Sequence, residues 1–354
     1  MSVIGVLRET AAGERRVALT PDVARRLSDR GVKVLVETGA GRMSFFDDAA
    51  YTAAVVVTRD EIYAGSDVLL CVRRPDDLAA ARPGQILVGL LGLDPNGLNG
   101  VTAISLDRLP RTLSRAQAMD ALTSQANVAG YKAALIAAEA CPGFFPMLMT
   151  AAGTTRPAQV LVLGAGVAGL QAIATARRLG DQVTGYDVRD AARADIASTG
   201  AAVLDVAAPS AEAAGGYARD LTEDEAGAQS QGLAAAIPRF DVVITTAKVP
   251  GAPAPLLVPA AALAAMRPGS VVIDLAAGNV AGSVAGARTL TGNEVTVIGA
   301  PDLASTVPVA ASTAYARNLL ALLTHLMPHG EPQLDLDDEI TRAVLLSDRE
   351  GARP

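Results

Sequence analysis

Tryptophan is absent from this 354-residue chain, and aromatic residues make up only 3% of it, so its cores must be filled by Ala, Val and Leu. Small side chains let helices pack closely on sheets, the habit of α/β proteins. Cysteine is almost missing as well. Cys71 and Cys141 are too few for a disulfide framework and show no metal-ligand spacing, which suits a reduced compartment and gives no metal site. An excess of basic charge is lacking: a net charge of −7 and a pI near 5.0 argue against a nucleic-acid binder, which needs a basic face.

Long apolar runs are wanting too, despite a mean hydropathy of +0.31. The best candidate, AALIAAEACPGFFPMLMTAAG, is broken by Glu139, Pro142, Gly143 and Pro146. It cannot supply the ~20 uninterrupted apolar residues of a spanning helix. The opening MSVIGVLRET has neither the basic start nor the cleavage site of a secretory leader. A soluble chain with no direct membrane insertion is expected. No repeat of short fixed period is visible.

What is present is a rhythm of short strands and helices. VIGVLR, VKVLVETG, DVLLCV, ILVGLL and VTAISL read as strands, and TPDVARRLSDRG as a helix with Thr20 as N-cap and Pro21 in the first turn. An amphipathic segment from about Ser114 to Ala140 follows. The rhythm then resumes with VLVLG, QVTGYD, AAVLDV, DVVITTA, SVVIDLA and VTVIGA, six strands suited to one doubly wound sheet. After residue 306, TVPVAASTAYARNLLALLTHL reads as a single helix belonging with the first sheet. The expected fold is α/β, with two Rossmann-like doubly wound parallel-sheet domains separated by a cleft. The first domain is expected to be discontinuous, 1–125 plus 307–354, with 126–306 inserted. The polar stretch between AAVLDV and DVVITTA, around 207–232, reads as a long mobile loop.

Within VLVLGAGVAG, Gly164, Gly166 and Gly169 form a G-x-G-x-x-G, and Asp187 stands eighteen positions beyond the last of them. A bare glycine pattern is a weak signal in a chain with 33 glycines. Its setting strengthens it: a buried strand before, a helix after, and an acid at the end of the next strand. The first glycine makes the tight turn, the second admits a pyrophosphate and the third lets helix and sheet approach, with the helix N-terminus facing the anion. Asp187 is placed to accept both hydroxyls of an adenosine ribose. A 2′-phosphate ~4 Å from that acid would cost up to about 4 kcal/mol per charge pair at an effective dielectric near 20. NAD is therefore favoured over NADP.

A keto-acid dehydrogenase needs a general acid, usually histidine, near the carbonyl oxygen. Here no histidine precedes His325, and His325 and His329 read as surface residues at a helix end. Lysine is scarce, and Lys33, Lys132 and Lys248 lie in no carbonyl-binding motif. One nicotinamide reaction needs no proton chemistry at the reacting carbon: direct hydride passage between two nicotinamide rings, for which the protein supplies orientation.

The blocks SRAQAMDALTSQANVAGYKA, MTAAGTTRPAQVLVLGAGVAGLQAIATARRLG, GGYAR, ITTAKVPGAPAPLL and MRPGSVVIDLA resemble the NAD(H)-binding alpha subunit of proton-translocating nicotinamide nucleotide transhydrogenase. The likeness runs from GVLRETAAGERRVALTPDVARRL almost to the C-terminus, and ERRVALTP is shared with the related alanine dehydrogenases. The alanine dehydrogenase pattern carries a Lys after the fourth strand and a His at the end of the next. Here those places read CVRRP, with Arg73, and LVGLLGLDPN, without His. Arg16, which would hold a substrate carboxylate there, is expected to serve as a scaffold ion-pair partner.

The resemblance implies that Gln117 and Asp120 contact the nicotinamide and its ribose and face NADP(H) on a partner subunit. Arg111 and Arg115 compete for one further place, because PRTLSRAQ has one residue more than the family motif. Thr123 stands where the family has Ser. Ala165, Gly166 and Val167 would lie along the pyrophosphate, and Asp187, Val188 and Arg189 around the adenosine ribose. Gly216 and Tyr217 match a closing loop and Gln229 a further contact. Ala247 and Lys248 fall beside the cofactor, with the charged Lys248 replacing an apolar family residue. DLAAGNVAGSV departs from the family in its displaced glycine pair. The resemblance further implies membrane proton-channel subunits as partners, a homodimer, and a cytoplasmic, peripheral place on the inner face of the plasma membrane. An alanine dehydrogenase-like enzyme and a degenerate, non-catalytic NAD(H)-binding module are the alternatives.

Overall fold

The computed structural model describes residues 2–76, 78–98, 100–206, 221–248 and 253–346. They pack as two compact units, Met1–Gln125 with Ser305–Pro354, and Ala126–Ala304.

The first unit is built on β1 (Val3–Val6), β2 (Lys33–Glu37), β3 (Val55–Val57), β4 (Val68–Arg73), β5 (Ile86–Leu90) and β6 (Thr102–Ser105). These lie in the order β3-β2-β1-β4-β5-β6, and every pair is parallel. A parallel sheet covered on both faces needs continuous aliphatic strands, and the first five residues of β4 are all buried. The edge strand β3 is not among those expected from sequence. Its three valines are partly exposed, and so short a run carries little pattern. Helices α1 (Pro21–Ser28) and α2 (Arg59–Gly65) follow β1 and β3. Thr20 does occupy the N-cap position of α1, but its side chain makes no capping hydrogen bond; the full capping box belongs to Thr58 and Glu61 on α2.

The segment 114–140 is not one helix. Ser114–Met119 forms a 3₁₀ turn, Asp120 leaves the helical region at ψ 88°, and α3 (Ala121–Ala140) begins after it. The Asp120 carboxylate stops the first stretch and starts the second, accepting the Thr123 backbone N–H at 2.8 Å.

In the second unit an antiparallel hairpin, β7 (Leu148–Thr150) and β8 (Gly153–Thr155), precedes the main sheet. That sheet comprises β9 (Gln159–Leu163), β10 (Gln182–Tyr186), β11 (Ala202–Val203), β12 (Val242–Thr245), β13 (Val271–Asp274), β14 (Arg288–Leu290) and β15 (Thr296–Gly299). Its order is β11-β10-β9-β12-β13-β15-β14, parallel except for the last pair. The six expected strands are there in Rossmann order, and β14 adds an antiparallel edge. Helices α4 (Val167–Leu179), α5 (Asp190–Ser198), α6 (Glu223–Ala236) and α7 (Ala260–Ala265) join them. Part of the expected loop at 207–232 is thus helical: Thr222 and Glu225 close a capping box that starts α6. Two helices, α8 (Pro308–Leu326) and α9 (Glu339–Val344), then return to the first unit. Tyr315, Leu319, Leu322 and Leu323 of α8 share a core with Ile4, Val6, Val34 and Leu70. No helix among the described residues is long and apolar enough to cross a membrane.

Candidate functional site

The order of the second sheet reverses at β9, so the crevice beyond the C-terminal ends of β9 and β12 is where a doubly wound fold receives its ligand. The glycine loop lies there. Gly164 has φ +96°, a conformation that glycine tolerates, and its N–H donates to Tyr186 O at 2.8 Å. A Cβ on Gly169 would collide with the Gly164 carbonyl, so the start of α4 can sit against the strand only with glycine. A Cβ on Gly166 would meet nothing within 4 Å, so the loop leaves open space there. Gly166 caps the 13-residue α4 without a side-chain hydrogen bond, leaving the first N–H groups and the positive end of the helix dipole for an anion. These residues fit a pyrophosphate.

Asp187 follows β10 and is buried. Its Oδ2 accepts the Ala165 N–H at 2.8 Å and Arg189 Nη2 at 2.9 Å; its Oδ1 accepts the Arg189 backbone N–H at 3.0 Å and Nε at 2.9 Å. Burial alone would raise this carboxyl, but the Arg189 guanidinium and the two amides outweigh it and hold it below the usual range. The acid is therefore ionised, with Arg189 folded onto it as a counter-ion. Four donors fill its acceptor sites, so ribose hydroxyls can bond to Asp187 only by displacing Arg189. The Ala165 N–H is spent on Asp187 as well and is not free for an anion. Val188 packs against the core on this side.

Several partners escaped the sequence reading. Thr246 Oγ1 donates to Gly164 O at 2.9 Å, locking the loop after β12 onto the glycine turn beside Ala247. Asn279 is fully buried, and its amide donates to Ala247 O at 3.0 Å and Pro255 O at 2.7 Å. Asp274 accepts from Thr245 Oγ1 at 3.2 Å and from the Ala276 and Val280 amides at 3.0 and 3.3 Å. Gln229 lies buried on α6 and donates to Tyr186 Oη at 3.1 Å. Lys248 is exposed. Gly216 and Tyr217 lie outside the described residues.

In the first unit, Arg111, Asp120 and Thr123 form one knot. Arg111 Nε donates to Asp120 Oδ2 at 3.0 Å and its Nη2 to Thr123 Oγ1 at 2.9 Å, while Thr123 Oγ1 donates to Asp120 Oδ2 at 2.6 Å. Arg111 thus reaches the acid across the start of the 3₁₀ turn. Arg115 goes elsewhere, to Asp338 Oδ1 at 2.6 Å. Gln117 is exposed on the turn between them.

Deeper in this unit, the Arg16 guanidinium donates to both oxygens of Glu14, at 2.8 and 2.6 Å, and to Gln125 Oε1 at 2.8 Å. Arg73 Nε also donates to Glu14, at 2.8 Å. Burial pushes Glu14 up, yet these two cations overcome it and hold the carboxyl down at about 2. Glu9 beside it accepts from Val72 N and Arg73 N at 2.6 and 3.1 Å, and burial raises it to about 7. Among the described residues, no group of three or more His, Cys, Asp or Glu could hold a metal ion.

Comparison with known proteins identifies relatives over nearly the whole chain. Residues 5–129 match the model of the alanine dehydrogenase/PNT N-terminal domain and residues 133–351 that of the alanine dehydrogenase/PNT C-terminal domain. The chain is 38% identical to an NAD(P) transhydrogenase subunit alpha chain of Rhodospirillum rubrum, across 99% of this chain and 97% of that one. The crystal structure of a transhydrogenase from Sinorhizobium meliloti superposes with a TM-score of 0.86 at 38% identity, covering 97% of each chain. Alanine dehydrogenase of Mycobacterium tuberculosis is 34% identical over 77% of this chain and 72% of its own. This chain belongs to the alanine dehydrogenase/PNT family.

Proposed function

We propose that the chain presents NADH for direct hydride transfer to NADP⁺ held on a partner subunit, within a proton-translocating transhydrogenase. It is an oxidoreductase component of the transhydrogenase kind, and its cofactor is NAD(H). When bound, the nicotinamide supplies the hydride. The protein's role is to bind, orient and exclude water. Gly166, Val167 and the α4 terminus take the pyrophosphate, and Asp187 exchanges Arg189 for the adenosine ribose. Asp120, locked by Arg111 and Thr123, and the exposed amide of Gln117 hold the reactive end and meet the partner. Proton translocation falls to separate membrane subunits, with this chain peripheral on the cytoplasmic face and paired with a second copy.

One observation carries the choice over an amino-acid dehydrogenase. Arg16 is taken up by Glu14 and Gln125, and Arg73 stands bonded to Glu14 where the dehydrogenase pattern has a lysine. A substrate carboxylate would have to break a buried ion pair, which costs several kcal/mol. The test mixes the purified chain with an NADP(H)-binding transhydrogenase component and follows hydride passage between NADH and an NADP⁺ analogue. Transfer that needs both proteins is expected. Oxidation of NADH by pyruvate and ammonia with this chain alone would overturn the reading.

A further inference from the structure

Gln117 projects from a 3₁₀ turn, whose hydrogen bonds are poorer than those of an α-helix. The turn has little of its own to fix it. Leu113 caps it without a side-chain hydrogen bond, and Asp120 N reaches back to Gln117 O at 3.2 Å. Yet the amide must be held closely if it orients two nucleotides.

The stiffness comes from chain some two hundred residues away. Asn318, buried on α8, donates its amide to Ala118 O at 2.9 Å and accepts Ser124 Oγ at 2.7 Å. One side chain thus grips the turn just after Gln117 and the first turn of α3. On the other side Arg115 Nη1 donates to Asp338 Oδ1 at 2.6 Å. Asp338 is itself immobilised: its Oδ2 accepts the Thr341 N–H at 2.8 Å and Thr341 Oγ1 at 3.0 Å, and lies 2.9 Å from His325 Nε2 on α8. Ala116 and Met119 meanwhile sink into the core that contains Tyr315 and Leu319. Among the described residues, the holds on the turn from α8 and α9 flank Gln117 and do not use its side chain.

We propose that Asn318 and Asp338 are positioning residues for hydride transfer, which together seat the Gln117 turn at the distance the reaction requires. This rests on the proposed function. It gives the C-terminal return of the chain a task beyond completing a core, and gives Arg115 the role of a tether. It also gives His325 a structural duty, as a brace for Asp338.

The experiment compares wild type with Asn318→Ala, Asp338→Asn, Asp338→Glu and Arg115→Met. Asp338→Asn keeps an oxygen for the Thr341 N–H and removes the charge that Arg115 binds. Arg115→Met cuts the same tether from its exposed end, so a fold disturbed by one substitution is controlled by the other. Two readouts are taken: amide hydrogen exchange of residues 114–120 in the chain alone, and single-turnover transfer from NADH to an NADP⁺ analogue on the partner component. Exchange at 114–120 should quicken about tenfold or more, with α4 unchanged. Transfer should slow roughly ten- to a hundredfold, as an ångström of misplacement would. NADH dissociation constants should stay within about threefold, and Asp338→Glu should recover much of the rate. Variants that transfer and exchange like wild type overturn the positioning role. So does a loss of rate that tracks NADH affinity and melting temperature, which marks a merely structural contact. Failure of wild type to transfer at all overturns the proposed function and the role that rests on it, whereas wild-type transfer with undisturbed variants removes the positioning role alone.

Discussion

Asp187 carries the most charge chemistry of any single residue near the nucleotide loop. Because Arg189 and two amides already hold it ionised, Asp187→Asn removes a charged acceptor without changing shape. NADH affinity should fall about ten- to a hundredfold, the equivalent of roughly 1.5–3 kcal/mol, in a fluorescence titration; equal affinities would remove Asp187 from the ribose site. Gln117→Asn withdraws the amide by one methylene, ~1 Å, so transfer should slow about a hundredfold while NADH binding barely moves. Equal losses in binding and transfer would make Gln117 an ordinary ligand contact. Asp181, just before β10, is buried with neither oxygen hydrogen-bonded, and burial raises its carboxyl to about 7. Between its unfolded value near 3.8 and about 7, the native state keeps a proton that the unfolded chain has lost, so stability falls as pH rises through that window. Asp181→Asn lacks that slope. Wild type and variant should denature alike near pH ~4, and at pH ~8 the variant should be the more stable by about 1–3 kcal/mol. Parallel pH profiles in urea denaturation would show that Asp181 is solvated after all.

At the scale of elements, the turn after β13 is one of the places where this chain departs from the pattern of the family it resembles. Its glycines are displaced, and Ala277 takes φ +53°, a conformation that costs a residue with a Cβ about 1–2 kcal/mol. Ala277→Gly should therefore raise stability by roughly 1 kcal/mol in denaturant melts, the gain from relieved strain exceeding glycine's greater unfolded-state entropy. A destabilised variant would mean that the turn is not strained there. The strands and long helices of the two sheets were legible because their aliphatic runs and periodicity are local. Other elements were not, β3, β14 and α6 among them. β3 and β14 are three-residue edges whose exposure erases any burial pattern. α6 was hidden by Gly, Ser and Gln in EDEAGAQSQGLAAA, poor or unpatterned helix formers that the Thr222–Glu225 capping box starts nonetheless. The break at Asp120 was equally invisible, since nothing in SRAQAMDALTSQ ends a helix by composition; it is the knot with Arg111 and Thr123 that turns the chain.

Taken whole, the molecule is two units, each with its own sheet and core, and the nucleotide loop lies entirely in Ala126–Ala304. Residues 121–304 expressed alone, with α3 intact, should fold cooperatively and bind NADH within about tenfold of the full chain, since phosphate and ribose contacts dominate the affinity. They should give no transfer, lacking Gln117; a fragment that cannot bind NADH would show that the first unit supplies essential contacts. The sequence alone determined the glycine turn, the acid at Asp187 and the alternation of strand and helix. Each is written in residues a few positions apart, and φ, helix dipole and burial act over that same range. Tertiary structure alone joined Arg111 to Asp120 and Arg115 to Asp338, closed Arg16 and Arg73 on Glu14, and brought Thr246 to Gly164 and Asn318 to Ala118. Those contacts depend on which strands become neighbours and where a helix returns across a sheet. A side chain's reach of a few ångströms is settled only after distant segments have packed.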